Sequence, residues 1–197
     1  MKAAIIIALL IPLTAESSGP TPAQIAAEQS EVVEYMLEDT AAGGVKIEWA
    51  ACGVENAWYW WGGGPIHMCL ELDNSPAPVF AAAHEAGHAL VDGLGLYVDP
   101  HNPYGQEQAA DELAALFLIE MGKYDAVVGG AAWFMRDFET RSRDGVHPPH
   151  AARARELLCL VDGGEQEHLG TSGNPDCLEL YRTVWIRWAY SIAGAGQ

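Results

Sequence analysis

The spacing of apolar residues along the chain predicts one helix, then a small sheet, then a mainly helical remainder. From Pro22 onward apolar residues recur at helical intervals, and Thr21 and Gln24 form a capping box at the start of this helix. We expect the helix to end near Gly43 and Gly44. Alternating and aromatic-rich positions come next, and they predict three strands at 45–49, 57–61 and 66–72.

The second half of the chain has helical periodicity throughout. Helices are predicted to start near Pro78, Gln106, Ala126, Pro149 and Pro175, with a loop at 163–174. The last of them carries a predicted core face: Leu178, Leu180, Tyr181, Val184, Trp185 and Trp188. Together the patterns predict an α+β fold in which a small antiparallel sheet packs beside a mainly helical body.

The helix that starts near Pro78 carries two histidines and a glutamate inside an apolar run. His84 and His88 are four residues apart, so both rings lie on one helical face and can bind one metal ion. Glu85 lies about 100° around the helix, where its carboxylate can reach a metal-bound water as a general base. The HExxH pattern is short, and an amphipathic helix with two surface histidines is the alternative interpretation.

A third ligand is needed, because catalytic zinc takes three protein ligands and keeps its fourth position for water. The next predicted helix offers Glu107 and Asp111, which are again four residues apart. We expect Glu107 to bind the metal and Asp111 to accept a hydrogen bond from the free ring N–H of a ligating histidine. Glu112 is the candidate ligand if Glu107 is not one.

The HExxH motif followed by Glu107 and Asp111 resembles the gluzincin metallopeptidases, the thermolysin-like group. The resemblance implies that Glu107 is the third zinc ligand and that Asp111 supports the first histidine. Most of the chain also resembles a bacterial family of secreted metallopeptidase-like proteins of unknown function. The residues that carry this second resemblance are both zinc motifs, Cys52-Gly53, Asn56-Ala57-Trp58-Tyr59, Met68-Cys69-Leu70-Glu71-Leu72 and Leu157-Leu158-Cys159-Leu160.

The gluzincin resemblance carries two further expectations. It implies a zincin-like body in which the strand predicted at 66–72 borders the cleft and either pairs with an extended substrate or is simply core. His147 lies in a His-Pro-x4-Arg pattern that occurs downstream of HExxH in some membrane-associated gluzincins, where the histidine is near the metal. His147 is therefore a candidate donor to the oxyanion of the reaction, with a solvated helix flank as its alternative role. His150 is a weaker candidate for that donor.

The N-terminal segment is predicted to be a signal peptide that spans residues 1–17. Lys2 precedes an apolar run from Ala3 to Leu13, and small residues follow it near Ala15. This run is too short to span a bilayer, and no later stretch approaches the roughly 20 apolar residues that a membrane helix needs. We expect an exported protein, periplasmic or extracellular, with a single domain over 18–197 and no membrane insertion after signal cleavage.

The 197-residue chain is strongly acidic, with a formal net charge of −17 from 27 acidic and 10 basic residues. Nucleic acids and anionic lipids are bound through clustered Lys and Arg, so neither is expected as a partner. Half of the residues are hydrophobic, which favours a folded chain over a disordered one.

All four cysteines follow the predicted signal peptide, and an even number in an exported chain favours disulfides. Proximity favours Cys52 with Cys69 and Cys159 with Cys177, although four cysteines allow three pairings. A second metal site is the alternative, but the chain has no CxxC pair.

These observations predict a secreted zinc metallopeptidase that binds one Zn²⁺ per chain and hydrolyses peptide bonds of a peptide or protein. A zinc-bound water activated by Glu85 would be the nucleophile. One alternative is a catalytically inactive zinc-binding protein with an interaction or structural role, and another is a zinc hydrolase that does not cleave peptides. The presence of Glu85 favours the enzyme, because a structural zinc site has no need of a general base. The sequence pattern leaves the cleavage specificity and the oligomeric state open.

Overall fold

The computed structural model describes residues 19–38, 40–75, 77–96, 103–136 and 149–195. In chain order the elements are α1 (Pro22–Leu37), β1 (Ile47–Ala50), β2 (Ala57–Tyr59), β3 (Ile66–Cys69), a 3₁₀ helix (Leu70–Asn74), α2 (Pro78–Gly93), α3 (Pro103–Glu120), α4 (Tyr124–Arg136), α5 (His150–Leu169) and α6 (Pro175–Ala195). This mainly helical arrangement with a small sheet confirms the predicted α+β class. The predicted signal peptide at 1–17 lies outside the described residues.

The sheet is mixed, and the prediction that it is antiparallel is wrong. Its strand order is β1-β3-β2, with β1 parallel and β2 antiparallel to β3. Strand β3 is the most buried of the three, because Ile66, Met68 and Cys69 are almost fully enclosed. A buried strand needs partners for the backbone groups on both of its edges, so β3 takes the central position. The expected pairing of this strand with a substrate is therefore wrong, and its alternative role as core is confirmed.

Helix α2 lies at the centre of the core. It packs against α1, α3, α4 and strands β2 and β3. Between Val79 and Val91 every residue except His84 is buried, which is typical of a helix enclosed on most sides. The polar residues of this helix are therefore held in an apolar setting, where each needs a partner.

The end of α1 and the start of α3 differ from the prediction. Helix α1 ends at Leu37, well before Gly43, because the Thr40 hydroxyl donates a 2.7 Å hydrogen bond to the Leu37 carbonyl and closes a turn there. Helix α3 begins at Pro103, before Gln106, and proline is favoured in the first turn of a helix.

Helix α5 continues through the first part of the loop predicted at 163–174. Gly163 and Gly164 lie inside it because neighbouring helices pack directly against them. A Cβ atom on Gly163 would lie 2.7 Å from Cβ of Tyr181, and one on Gly164 would lie 2.6 Å from Cγ2 of Ile119. These glycines permit close helix packing, and they do not end the helix.

The core face predicted for α6 is correct only in part. Tyr181, Val184 and Trp188 are buried, whereas Trp185 is 47% exposed. Successive residues of a helix point about 100° apart, so the position after Val184 has already turned toward solvent.

Both cysteine pairs favoured by proximity are disulfides in the structure. Cys52 is joined to Cys69 at a Cα–Cα distance of 5.4 Å, and Cys159 is joined to Cys177 at 4.9 Å. The first bond fastens the segment after β1 to the end of β3, and the second fastens α5 to α6. None of the helices within the described ranges is long and apolar enough to cross a membrane.

Candidate metal centre

The two histidines of α2 project from the same helical face, as their spacing predicts. The ring centroids of His84 and His88 are 4.7 Å apart, and the ring planes are nearly perpendicular. Both side chains are largely buried. Buried imidazoles need polar partners, so the groups around the two rings indicate which role the histidines have.

Glu107 on α3 faces both histidines. Its Oε2 atom lies 3.3 Å from Nε2 of His84, and its Oε1 atom lies 3.4 Å from Nε2 of His88. In a tetrahedral zinc site with metal–ligand bonds of about 2.0–2.1 Å, neighbouring ligand atoms are roughly 3.3 Å apart. The three side chains are therefore spaced as the ligands of one metal ion would be.

The close approach of α2 and α3 sets this spacing. Gly87 lies between the two histidines and faces Ala110, which is one helical turn after Glu107. A Cβ atom on Gly87 would lie 2.9 Å from both Cα and the carbonyl oxygen of Ala110. The absence of a side chain at this position lets α3 come near enough for Glu107 to reach the histidines.

Asp111 and Arg153 hold the ring of His84 from behind. Oδ1 of Asp111 lies 2.9 Å from Nδ1 of His84, while Arg153 on α5 donates to both carboxylate oxygens at 2.6 and 2.8 Å. The guanidinium group also lies 3.5 Å from Glu107 and 4.0 Å from the ring centroid of Phe134. Asp111 therefore lies where a carboxylate that supports the His84 ring is expected. Sequence reasoning missed Arg153, although the His-Pro-x4-Arg pattern ends on it.

Without a metal ion, the carboxylates beside His84 favour its protonated form. Burial by itself would lower the pKa of His84, but the hydrogen bonds to Asp111 and Glu107 raise it to about 10. Burial opposes ionisation of the two carboxyl groups, yet the charge of Arg153 and the contact with His84 keep the pKa of Asp111 below its usual range. The two histidines likewise lower the pKa of Glu107. A metal ion at Nε2 of His84 would take the place of that proton.

A cavity of about 120 Å³ opens beside the three converging groups. Glu85 lines this cavity together with His84 and Glu107, and its side chain is largely buried. The remaining wall is mostly apolar: Asn56, Ala57, Phe80, Ala81, Trp133, Phe134, His150 and Arg153. Glu85 thus borders the space beside His84 and Glu107 without belonging to the group of three side chains that could hold a metal ion.

The charges around the cavity also suit a divalent cation. Glu85, Glu107 and Asp111 contribute three carboxyl groups, and Arg153 contributes one guanidinium group. With neutral histidines the formal sum is −2, in a region where uncompensated charge is costly. A divalent ion would bring this sum to zero.

Glu112, the alternative ligand, is committed elsewhere. Its carboxylate accepts hydrogen bonds from Arg187 at 2.9 Å and from the indole of Trp188 at 2.7 Å, and it is almost fully buried. Adjacent positions on a helix point about 100° apart, so Glu112 faces α6 while Asp111 faces α2.

Of the two histidines predicted as candidate oxyanion donors, His150 is among the described residues. His147 lies outside the described residues, so its role stays a prediction. His150 is the first residue of α5, is buried, and lines the cavity with Glu85. Its ring centroid lies 5.5 Å from that of Phe134.

Fold and site together describe an α+β protein that can hold one metal ion between two packed helices. The chain belongs to the protein family described as "Putative metallopeptidase", whose sequence model matches residues 73–179. That range contains His84, Glu85, His88, Glu107 and Asp111 and leaves the three strands outside it. Neither a curated protein nor a solved structure matches the chain.

Proposed function

We propose that this protein is an exported zinc metallopeptidase of the gluzincin type, with one catalytic domain over residues 18–197. The observation that carries the proposal is the spacing of His84, His88 and Glu107, whose ligand atoms lie 3.3 and 3.4 Å apart beside a cavity lined by Glu85. Two nitrogens and one carboxylate form the ligand set of a catalytic zinc site, which leaves one position open.

Glu85 has the role of general base. When bound, zinc supplies Lewis acidity for the attacking water and for the carbonyl of the scissile bond. Glu85 takes a proton from that water and returns it to the leaving amine. A carboxyl group that lines the cavity, but is not one of the grouped ligands, is suitably placed for both transfers.

Asp111 and Arg153 act through His84. The carboxylate fixes the ring so that Nδ1 carries the hydrogen and Nε2 is available to the metal. The bidentate contact of Arg153 fixes the carboxylate in turn. This series of contacts keeps one ligand oriented before any metal or substrate arrives.

The free edge of β2 is the place where an extended substrate would bind. Hydrogen bonds from Cys69 to Asn56 and from Trp60 to Pro65 show which positions of β2 face β3. The backbone groups of Ala57 therefore point outward, and no strand of the described segments lies on that edge. Ala57 also lines the cavity, so a peptide added to this edge would pass the metal position. The aromatic part of the cavity wall would receive one of its side chains.

Metal analysis combined with a peptide-library digest tests the proposal. The mature protein should contain about one zinc per chain and should cleave peptides, whereas Glu85→Gln should keep the zinc and lose cleavage. A freshly purified, unchelated protein without zinc would refute the metal assignment. Zinc with no cleavage across the library would favour the inactive interaction or structural protein.

Export is supported by the two disulfides, which form and persist in oxidising compartments. The signal peptide proposed at 1–17 can be tested by N-terminal sequencing of the protein recovered from periplasm or medium. A mature protein that still begins at Met1 would refute the proposed cleavage.

A further inference from the structure

The turn after β2 is fastened to the metal-binding helix. Oδ2 of Asp92 accepts hydrogen bonds from the Tyr59 hydroxyl at 2.7 Å and from the backbone N–H groups of Gly62 and Gly63 at 2.6 and 3.3 Å. Asp92 follows His88 by one helical turn and shares its face. The two glycines have φ values of 89° and 81°, a backbone region that favours glycine. The turn is therefore held in a fixed position relative to the metal centre.

This turn places Trp61 beside a proposed metal ligand. The ring centroid of Trp61 lies 5.9 Å from that of His88 and 6.1 Å from that of Tyr59, and the residue is 49% exposed. Trp60 differs, because its ring packs toward His67 at a centroid distance of 6.4 Å. Among the described residues, Trp61 thus forms the aromatic wall on the His88 side of the site, away from the cavity beside His84.

The carboxylate next to this wall has no cationic partner among the described residues. Asp92 receives its hydrogen bonds from one phenol and two backbone amides, all of them neutral. Burial and the hydrogen bond to Asp92 raise the pKa of Tyr59 to about 12, so the phenol stays a neutral donor. By contrast Lys123, Arg153 and Arg187 are each paired with acidic groups.

We propose that Trp61 and Asp92 select a Lys or Arg side chain of the peptide substrate on the His88 side of the scissile bond. A cation stacks favourably on the face of an indole, and the charge of Asp92 attracts it further. An acidic side chain would be repelled there, as it would by the formal net charge of −17. A neutral aliphatic side chain would gain only the apolar contact. The inference rests on the proposed peptidase function.

Matched peptides test this selection. One peptide from the library digest is prepared in two forms at each position flanking the cleaved bond, with lysine or with its uncharged analogue norleucine. At one position on the His88 side, the unmodified enzyme should cleave the lysine form with a kcat/KM about five to thirty times that of the norleucine form. Trp61→Leu should bring this ratio close to one, and Asp92→Asn should lower it while retaining an oxygen that accepts the turn hydrogen bonds.

A second readout keeps this inference separate from the peptidase proposal. Anisotropy of the two labelled peptides on zinc-loaded Glu85→Gln should show the lysine form binding more tightly, and adding Trp61→Leu should remove the difference. If the unmodified enzyme cleaves nothing, the peptidase proposal fails. An alanine-rich peptide with one central lysine or norleucine then replaces the pair, and its binding preference still decides whether Trp61 and Asp92 recognise a cation.

Trp185→Leu is the matched control. Trp185 is 47% exposed on α6, close to the exposure of Trp61, and its replacement should leave the lysine preference intact. Equal binding of the lysine and norleucine peptides by Glu85→Gln protein that retains Trp61 would overturn the inference. A lysine preference that survives in both Trp61→Leu and Asp92→Asn would overturn it as well. Zinc content and melting temperature of each variant show whether it is folded.

Discussion

Replacement of Gly87 by alanine tests whether the contact between α2 and α3 sets the metal geometry. The new Cβ atom would lie 2.9 Å from Cα and from the carbonyl oxygen of Ala110. Carbon atoms in contact prefer separations of about 3.5–4.0 Å. The two helices would therefore have to separate locally by about 0.6 Å or more, and Glu107 lies on the turn of α3 next to this contact.

That displacement is large for a metal site and small for a helix pair. Ligand distances are tolerated within about 0.2 Å, so a shift of about 0.6 Å exceeds the tolerance unless the Glu107 side chain adjusts. We expect zinc affinity to fall about 10–100-fold, comparable to the loss of a group that orients a ligand. Overpacking costs about 1–3 kcal/mol, but alanine gains about 1 kcal/mol over glycine in helix propensity. The net loss of stability should therefore be only about 0–2 kcal/mol.

Competition with a chromophoric chelator measures the zinc affinity of Gly87→Ala, and chemical denaturation measures its stability. Gly93→Ala is the matched control, because a Cβ atom there would also lie 2.9 Å from a neighbour, Cβ of Ala42, at the far end of the same helix. This control should lose stability and keep its zinc affinity. Normal zinc binding by Gly87→Ala, or an equal loss in Gly93→Ala, would refute the reasoning.

The remaining predictions concern the ligands and the groups that support them. Glu107→Ala should abolish tight zinc binding, whereas Asp111→Ala should weaken it about 10–100-fold; equal effects in the chelator assay would contradict the division of roles. Arg153→Met should destabilise the fold by about 1–3 kcal/mol, because it removes two hydrogen bonds to the buried Asp111 carboxylate and leaves protonated His84 as its charged partner, and denaturation of the unmodified protein gives the reference. The raised pKa of His84, about 10, means that zinc displaces a proton throughout the neutral range. Zinc affinity should therefore rise about tenfold per pH unit between pH 7 and 9, and a flat profile would show that no such proton is present. His147→Ala should lower kcat and kcat/KM together by about 10²–10³ with zinc content unchanged, and an unchanged kcat would remove this residue from the mechanism.

Local spacing on single helices was enough to predict which residues of α2 and α3 meet. The four-residue intervals that separate His84 from His88 and Glu107 from Asp111 put each pair on one face, whatever the rest of the fold does. The chemistry of a three-ligand site then required the two faces to point at each other. Proximity in sequence was equally sufficient for the cysteine pairs, because both disulfides join neighbouring elements.

Features that depend on distant packing could not be predicted in this way. Arg153 lies 42 positions from Asp111, and the His-Pro-x4-Arg pattern that ends on it does not show which carboxylate it contacts. Gly163 and Gly164 have the composition of a loop, and only the approach of α3 and α6 shows why they are helical. The position of β3 between β1 and β2 is likewise a property of the assembled sheet.

The central position of β3 restricts the order in which the sheet can form. Strands β2 and β3 are joined by a short turn and can pair early. Pairing of β1 with the opposite edge of β3 requires the closure of a longer loop. Cys52 meets Cys69 when Ala50 lies opposite Cys69 in the ladder. A register error of two residues would displace β1 by about 6.6 Å and would carry the thiols beyond bonding distance. Once formed, the Cys52–Cys69 bond therefore excludes this two-residue slip and keeps β1 in its native register.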